Sequence, residues 1–198
     1  NPAMPIHWGK NQAGMQASEE LDPLTGMGLW ADTAEYVAEN CRIMSEWGYH
    51  KQIVNRILEP FQWISVVVTA TEWDNFFKLR LHKDAQPEIQ ELARCMKTAM
   101  DESIPAELHP GEWHLPYVIT NGGGSLEECI KMSVARCARI SFLNHDNSTP
   151  NIDKDIALAD KLLEAGHMSP FEHIAKPMGA NTMPFYTRWE DGVTHLDR

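Results

Sequence analysis

The sequence predicts an α+β fold, on three observations. Apolar residues recur at helical spacing in successive segments between Trp30 and Gly166. One run, Ile64–Thr71, is dense in β-branched residues and reads as a buried strand. The composition, 43% hydrophobic and 23% charged over 198 residues, suits a globular chain with one proper core, so a single domain over residues 1–198 is expected.

The elements follow in order. Residues 1–28 mix Gly, Pro and Met without a period and read as loop. Trp30, Ala34, Val37, Cys41, Met44 and Trp47 form the first helical stripe, and Gly48 offers its stop. "HKQIVNRILEP" reads as a second helix broken at Pro60. After the strand, Thr71 is expected to cap the short helix "WDNFFKLRLH", with Asp74 three residues on. Asp84 opens "AQPEIQELARCMKTAM", with Pro87 in its first turn and Ile89, Leu92, Ala93, Met96 and Met100 on its buried face. "SIPAELHPGEWHLPY" is irregular, and "NGGGS" reads as a flexible joint. Ser125 and Glu128 form a capping box for "LEECIKMSVARCAR". Ile152, Ile156, Ala159 and Leu163 share one face of the last helix, which Gly166 ends. The pattern then weakens toward "THLDR", and residues are expected to be missing at both ends.

Charge and cysteine usage narrow the function. A formal net charge of −11 repels nucleic acid, yet a few arginines can still hold a small anion against that mean field. No apolar run approaches the roughly 20 residues of a membrane helix, so no membrane partner is expected. The first twelve residues show no signal-peptide pattern. Cys41, Cys95, Cys129 and Cys137 stand far apart, and Cys41 and Cys95 read as core thiols. A reducing cytoplasm fits, and the sequon Asn147-Ser148-Thr149 carries little weight there.

The densest polar stretch is "HMSPFEH", His167–His173. A metal pair on one helix face needs i, i+4 spacing, and His167 and His173 are six apart. A metal hydrolase using His167, Glu172 and His173 therefore ranks last, and His109 and His114 are as loosely spaced. Ser169-Pro170-Phe171-Glu172 reads as a capping box with proline at the first helical position. No nucleophile elbow, dinucleotide fingerprint or phosphate loop occurs. Arg56 and Arg80 are flanked by apolar residues and are expected at the edge of something buried. Each would then pair with a carboxylate, or grip a phosphate or a uracil-like ring.

Three separated segments carry a resemblance. "ARIS" (Ala138–Ser141), "GHMSPFEH" (Gly166–His173) and "NFFKLRLHKDAQPEIQELA" (Asn75–Ala93) resemble the A-R-V-S, G-H-x-S/T-P-F-E-H and L-R-x-x-x-x-A-Q-x-E-I motifs of flavin-dependent thymidylate synthases. "NRILEP" (Asn55–Pro60) is similar to the family's A-R-x-x-L-P turn. The resemblance implies helices packed on a mostly antiparallel sheet, assembled as a homotetramer whose active sites are shared between subunits. It implies reductive methylation of dUMP to dTMP, with methylenetetrahydrofolate as one-carbon donor, NADPH as reductant and FAD as cofactor. Residue by residue, Arg80 resembles the arginine that contacts and polarises the dUMP pyrimidine, and Arg56 a second dUMP-binding arginine. Asn75, Ser141, His167, Ser169 and Glu172 match flavin-side positions, and His173 reads as structural. Ser169 and Glu172 can order a helix start and serve the flavin at once.

The sequence also departs from the pattern. The family's R-H-R signature and S-x-R-Y element are absent, and Thr69-Ala70-Thr71 stands where N-x-R precedes the arginine helix. The G-H-x-S/T-P-F-E-H segment follows the L-R segment instead of preceding it, as in a permuted, divergent member of the kind phages carry. The competing reading is a non-catalytic nucleotide- or flavin-binding or assembly protein on the same fold.

Overall fold

The computed structural model describes residues 1–13, 17, 19–119, 124–144, 146–177, 188–190 and 193–195. Most of the expected joint "NGGGS" and all but the strand residues after 177 lie outside the described residues. The chain forms two compact units. The first is Asn1–Ser65 with Ala70–Ile104, and the second is Val66–Thr69 with Pro105–Arg198.

In the first unit, α1 (Pro23–Glu46) packs on α2 (Lys51–Leu58), and α3 (Asp74–Arg80) packs on α4 (Pro87–Glu102). Helix α1 begins earlier than the apolar stripe predicts. Asp22 accepts from the Leu24 and Thr25 amides, and Pro23 follows with its φ already set for a helix. The α1–α2 seam closes where Cys41 donates its thiol to the Val54 carbonyl at 3.6 Å, both residues being buried. Residues before α1 are not free loop: the Trp30 indole donates to the Ala3 carbonyl and packs edge-on against Trp8 and Phe61. Helix α3 starts after Trp73 without a side-chain cap, so Thr71 does not cap it. Gln86, not Asp84, precedes α4, with Pro87 first in the helix. Of the predicted α4 face only Ala93 is buried, while Leu92 and Met100 are exposed. Cys95 is exposed as well, which corrects its reading as a core thiol.

In the second unit, α5 (Leu126–Arg139) packs on α6 (Ile152–Glu164) and on the 3-10 turn Ser169–His173. The Ser125–Glu128 capping box forms as expected. Glu128 accepts from the Ser125 amide at 2.7 Å, and this bond holds its carboxyl below the ordinary value. Helix α6 ends in a Schellman motif: Gly166 takes φ +72°, its amide reaches the Leu163 carbonyl, and the His167 amide reaches the Leu162 carbonyl at 2.9 Å.

The predicted helices-on-sheet α+β architecture is not what the chain forms. Among the described residues the only strands are β1 (Arg188–Glu190) and β2 (Val193–His195), a short antiparallel pair, and the rest is helix and irregular chain. Ile64–Thr71 joins no ladder, and Ile64, Val66 and Val68 are 81%, 65% and 58% exposed. The reason is physical: β-branched density favours a strand only where neighbouring strands accept its backbone and cover its side chains. The two residues after it in the first unit lead instead into a helix.

Candidate active site

The seven predicted site residues divide between the units. Arg56, Asn75 and Arg80 lie in the first, and Ser141, His167, Ser169 and Glu172 in the second.

Arg80 is the last residue of α3, and Arg56 stands in the last turn of α2. A cation there complements the partial negative charge of a helix C-terminus, which gives each a local reason to be basic. Each stands on a short helix that also carries a buried apolar residue, Val54 on α2 and Phe77 on α3. Both arginines are exposed and, among the described residues, neither makes a hydrogen bond or ion pair, so the expected carboxylate partner is missing in both cases. Helix α3 is anchored beneath Arg80 by Trp73, Phe76 and Phe77, the Trp73 and Phe77 rings stacking at 6.1 Å. The turn after it is tied to α4 by the Gln90 amide, which donates to the His82 carbonyl at 2.9 Å. The motif's spacing therefore fixes where α3 ends, and Arg80 projects from that fixed end. Asn75 is exposed in the first turn of the same helix. Among the described residues, a cavity of about 580 Å³ opens in the first unit beside His7 and Trp8, and none of the seven residues lines it or the two cavities of about 420 Å³ in the same unit.

In the second unit Ser141 follows the left-handed cap residue Ile140 at the end of α5. Its amide donates to the Arg136 carbonyl at 3.2 Å, and its Oγ accepts from the Leu143 amide at 3.1 Å, so the hydroxyl proton is free to donate elsewhere. His167 is exposed behind the Gly166 motif. Ser169 does not cap the turn that it opens. The residue before the turn is Met168, no side chain caps it, and Pro170 is second, so the predicted Ser169–Glu172 capping box is absent. A 3-10 turn of five residues lacks the amide geometry that the box needs. Both Ser169 and Glu172 are exposed, and among the described residues neither side chain has a partner. His173 is half-buried, and its Nδ1 lies 3.1 Å from Thr69 Oγ1, which ties the turn to Val66–Thr69. Its neighbour Ala175 pairs with His114 in an isolated antiparallel bridge.

Sequence reasoning missed a buried ionic cluster beside Ser141. Arg136 is 4% exposed and Asp155 1%. Arg136 Nε donates to Asp155 Oδ2 at 3.0 Å, and Arg139 Nη1 donates to Asp155 Oδ1 at 2.7 Å. Arg136 Nη1 reaches the Tyr117 carbonyl at 2.8 Å, and its guanidinium lies 4.6 Å from the Phe142 ring centroid. The signal was available: two arginines three apart on an otherwise apolar face, and an aspartate between Ile152 and Ile156. The nearby thiol of Cys137 is pushed up by burial, with Ser133 pulling the other way, so it stays protonated and poorly nucleophilic. Among the described residues no cluster of three His, Cys, Asp or Glu side chains is placed to hold a metal ion. No described helix is long and apolar enough to cross a membrane.

Comparison with known families gives one match. Residues 18–106 match the family model described as thymidylate synthase complementing protein, and this supports thymidylate synthase complementing activity in general. The matched stretch holds Arg56, Asn75 and Arg80 and falls almost wholly in the first unit. No curated protein and no solved structure matches the chain.

Proposed function

We propose that this chain is a flavin-dependent thymidylate synthase, a reading that the match over residues 18–106 supports, and that it converts dUMP to dTMP by reductive methylation. Methylenetetrahydrofolate is the one-carbon donor and NADPH the reductant. The observation that carries the reading is Arg80: within the matched segment, on an anchored helix end, an exposed guanidinium without an acidic partner among the described residues, in a chain of net charge −11. An unpaired arginine in such a chain is suited to an anionic or carbonyl-bearing ligand. Arg80 holds the pyrimidine carbonyl edge of dUMP and stabilises negative charge that develops there, and Arg56 is a second cation for the same nucleotide.

The flavin-side residues fit a polar planar cofactor by their donor sets. Asn75 offers an amide, Ser141 a free hydroxyl proton, His167 and Ser169 further polar groups and Glu172 an acceptor, the last three without a side-chain partner among the described residues. FAD supplies the hydride chemistry when bound. No thiol on the chain needs to attack the uracil. The homotetramer is part of this proposal, and the exposed apolar run from Trp63 to Val68 supports assembly through surfaces that one chain leaves uncovered.

The test is tritium release from 5-tritiated dUMP. The purified protein, reconstituted with FAD, should be yellow and should release tritium only when NADPH and methylenetetrahydrofolate are both present. Arg80→Ala should cut kcat/KM for dUMP by about a hundredfold or more, as expected for loss of a charge-assisted contact at the reacting ring. A protein that binds dUMP or FAD without turnover would establish the non-catalytic alternative. One that cannot be reconstituted with FAD would end the enzymatic reading.

A further inference from the structure

The buried cluster of the second unit is incomplete in charge and in hydrogen bonds. Two guanidinium groups share one carboxylate, so Arg136, Arg139 and Asp155 together carry one net positive charge. No other carboxylate among the described residues reaches either arginine. Arg136 spends its Nε on Asp155 and its Nη1 on the Tyr117 carbonyl. Among the described residues Arg139 spends only Nη1, and its Nε and Nη2 are closed off from solvent with no acceptor. Those two atoms form one edge of the guanidinium, the side-on fork whose parallel N–H bonds match two oxygens of a carboxylate or a phosphate. The Arg139 side chain is 13% exposed, so the fork lies just below the surface of the unit. An orphaned donor pair on a charged group is costly to keep, and an arrangement that leaves it so invites an acceptor.

We propose that the Nε–Nη2 edge of Arg139 is an oxyanion-binding site, taking a phosphate or carboxylate group that neutralises the Arg136–Asp155–Arg139 cluster. The fork is sealed in the free chain, so entry requires a local opening. Three features make the site specific. Asp155 fixes the guanidinium plane through Nη1, the C-terminal turn of α5 fixes the backbone, and the excess positive charge is buried where water cannot screen it. Arg139 lies in the Ala138–Ser141 segment that carries the resemblance, but the thymidylate reading gives it no role at dUMP or FAD, so the two readings can fail separately.

The experiment reads the fork directly. The Arg139 Nε–H resonance of the full-length, nitrogen-15-labelled chain is assigned through its backbone. It is followed during titration with potassium phosphate and, separately, potassium acetate, each against potassium chloride at matched ionic strength. A saturable shift is expected with at least one anion. Phosphate alone marks a phosphoryl site, and acetate alone marks a carboxylate site. The same anion should raise the melting temperature of the wild-type chain, with an affinity about tenfold weaker or worse in Arg139→Lys, which keeps the charge but loses the fork. The Arg56→Gln/Arg80→Gln double variant should keep the response. No saturable shift with either anion would overturn the inference. So would an affinity left unchanged in Arg139→Lys or a response that disappears in the double variant. If Arg139→Lys does not fold, the wild-type titration still decides. An inactive protein whose fork responds fails only the thymidylate reading, and an active protein whose fork is silent fails only this one.

Discussion

Asp155 shows how far a single side chain can govern a helix pair. It is 1% exposed, and each of its oxygens accepts from a different arginine of α5. Removing its charge would leave two buried guanidinium groups facing an amide. Asp155→Asn should therefore destabilise the protein by about 3–5 kcal/mol, read by denaturant unfolding. A loss under 1 kcal/mol would mean that solvent reaches the cluster. Glu128 offers a contrast on the surface. Its pKa is lowered by hydrogen bonds from Ser125, so its contribution is fully present above its ordinary value and fades as pH falls through the lowered one. The melting-temperature gap between wild type and Glu128→Gln should thus be largest near neutrality and shrink as pH falls below the ordinary glutamate value and through the lowered one. A gap that widened toward acid would reverse the assigned sign.

Two helices of this chain end in the same way. Helices α1 and α6 both stop in Schellman motifs, with Gly48 at φ +85° and Gly166 at φ +72°. A Cβ at the second position would meet open space, so the penalty of Gly166→Ala is backbone strain alone. A cost of about 1–2 kcal/mol is expected in thermal or chemical unfolding. Stability equal to wild type would show that the terminus relaxes into another conformation. The same motif sets the direction in which His167 leaves α6, which links a capping glycine to a proposed flavin-side residue. The 3-10 turn after it shows the limit of local signals. Ser169, Pro170 and Glu172 have the right spacing for a capping box, but the turn has too few amides in helical register to be capped.

At the scale of the molecule, charge is the most legible property. With a formal net charge of −11, the protein should bind an anion-exchange matrix at low salt and pass unretained through phosphocellulose. Retention on phosphocellulose would reveal a basic face that the mean charge conceals. Arg56 and Arg80 have no acidic partner among the described residues, so a nucleotide meets local attraction against general repulsion. Added salt screens the long-range part of both.

The sequence by itself determined the helices and several of their boundaries. Apolar spacing, the Ser125–Glu128 box, and the stops at Gly48 and Gly166 are local, and the backbone obeys them whatever packs nearby. It also carried the thymidylate synthase resemblance, since the Asn55–Pro60 and Asn75–Ala93 motifs lie within the stretch that the family model matches. The start of α1 was equally readable, in Asp22-Pro23, and was passed over. Only the tertiary structure decided the rest. It left Ile64–Thr71 without a ladder, because strand formation depends on partners elsewhere in space. It freed Arg56 and Arg80 from the expected ion pairs and exposed Cys95, because flanking apolar residues do not say which side of a helix faces the core. It buried Arg136 and Asp155 together across 19 positions of sequence, because a charge pair of that separation exists only once α5 and α6 have packed.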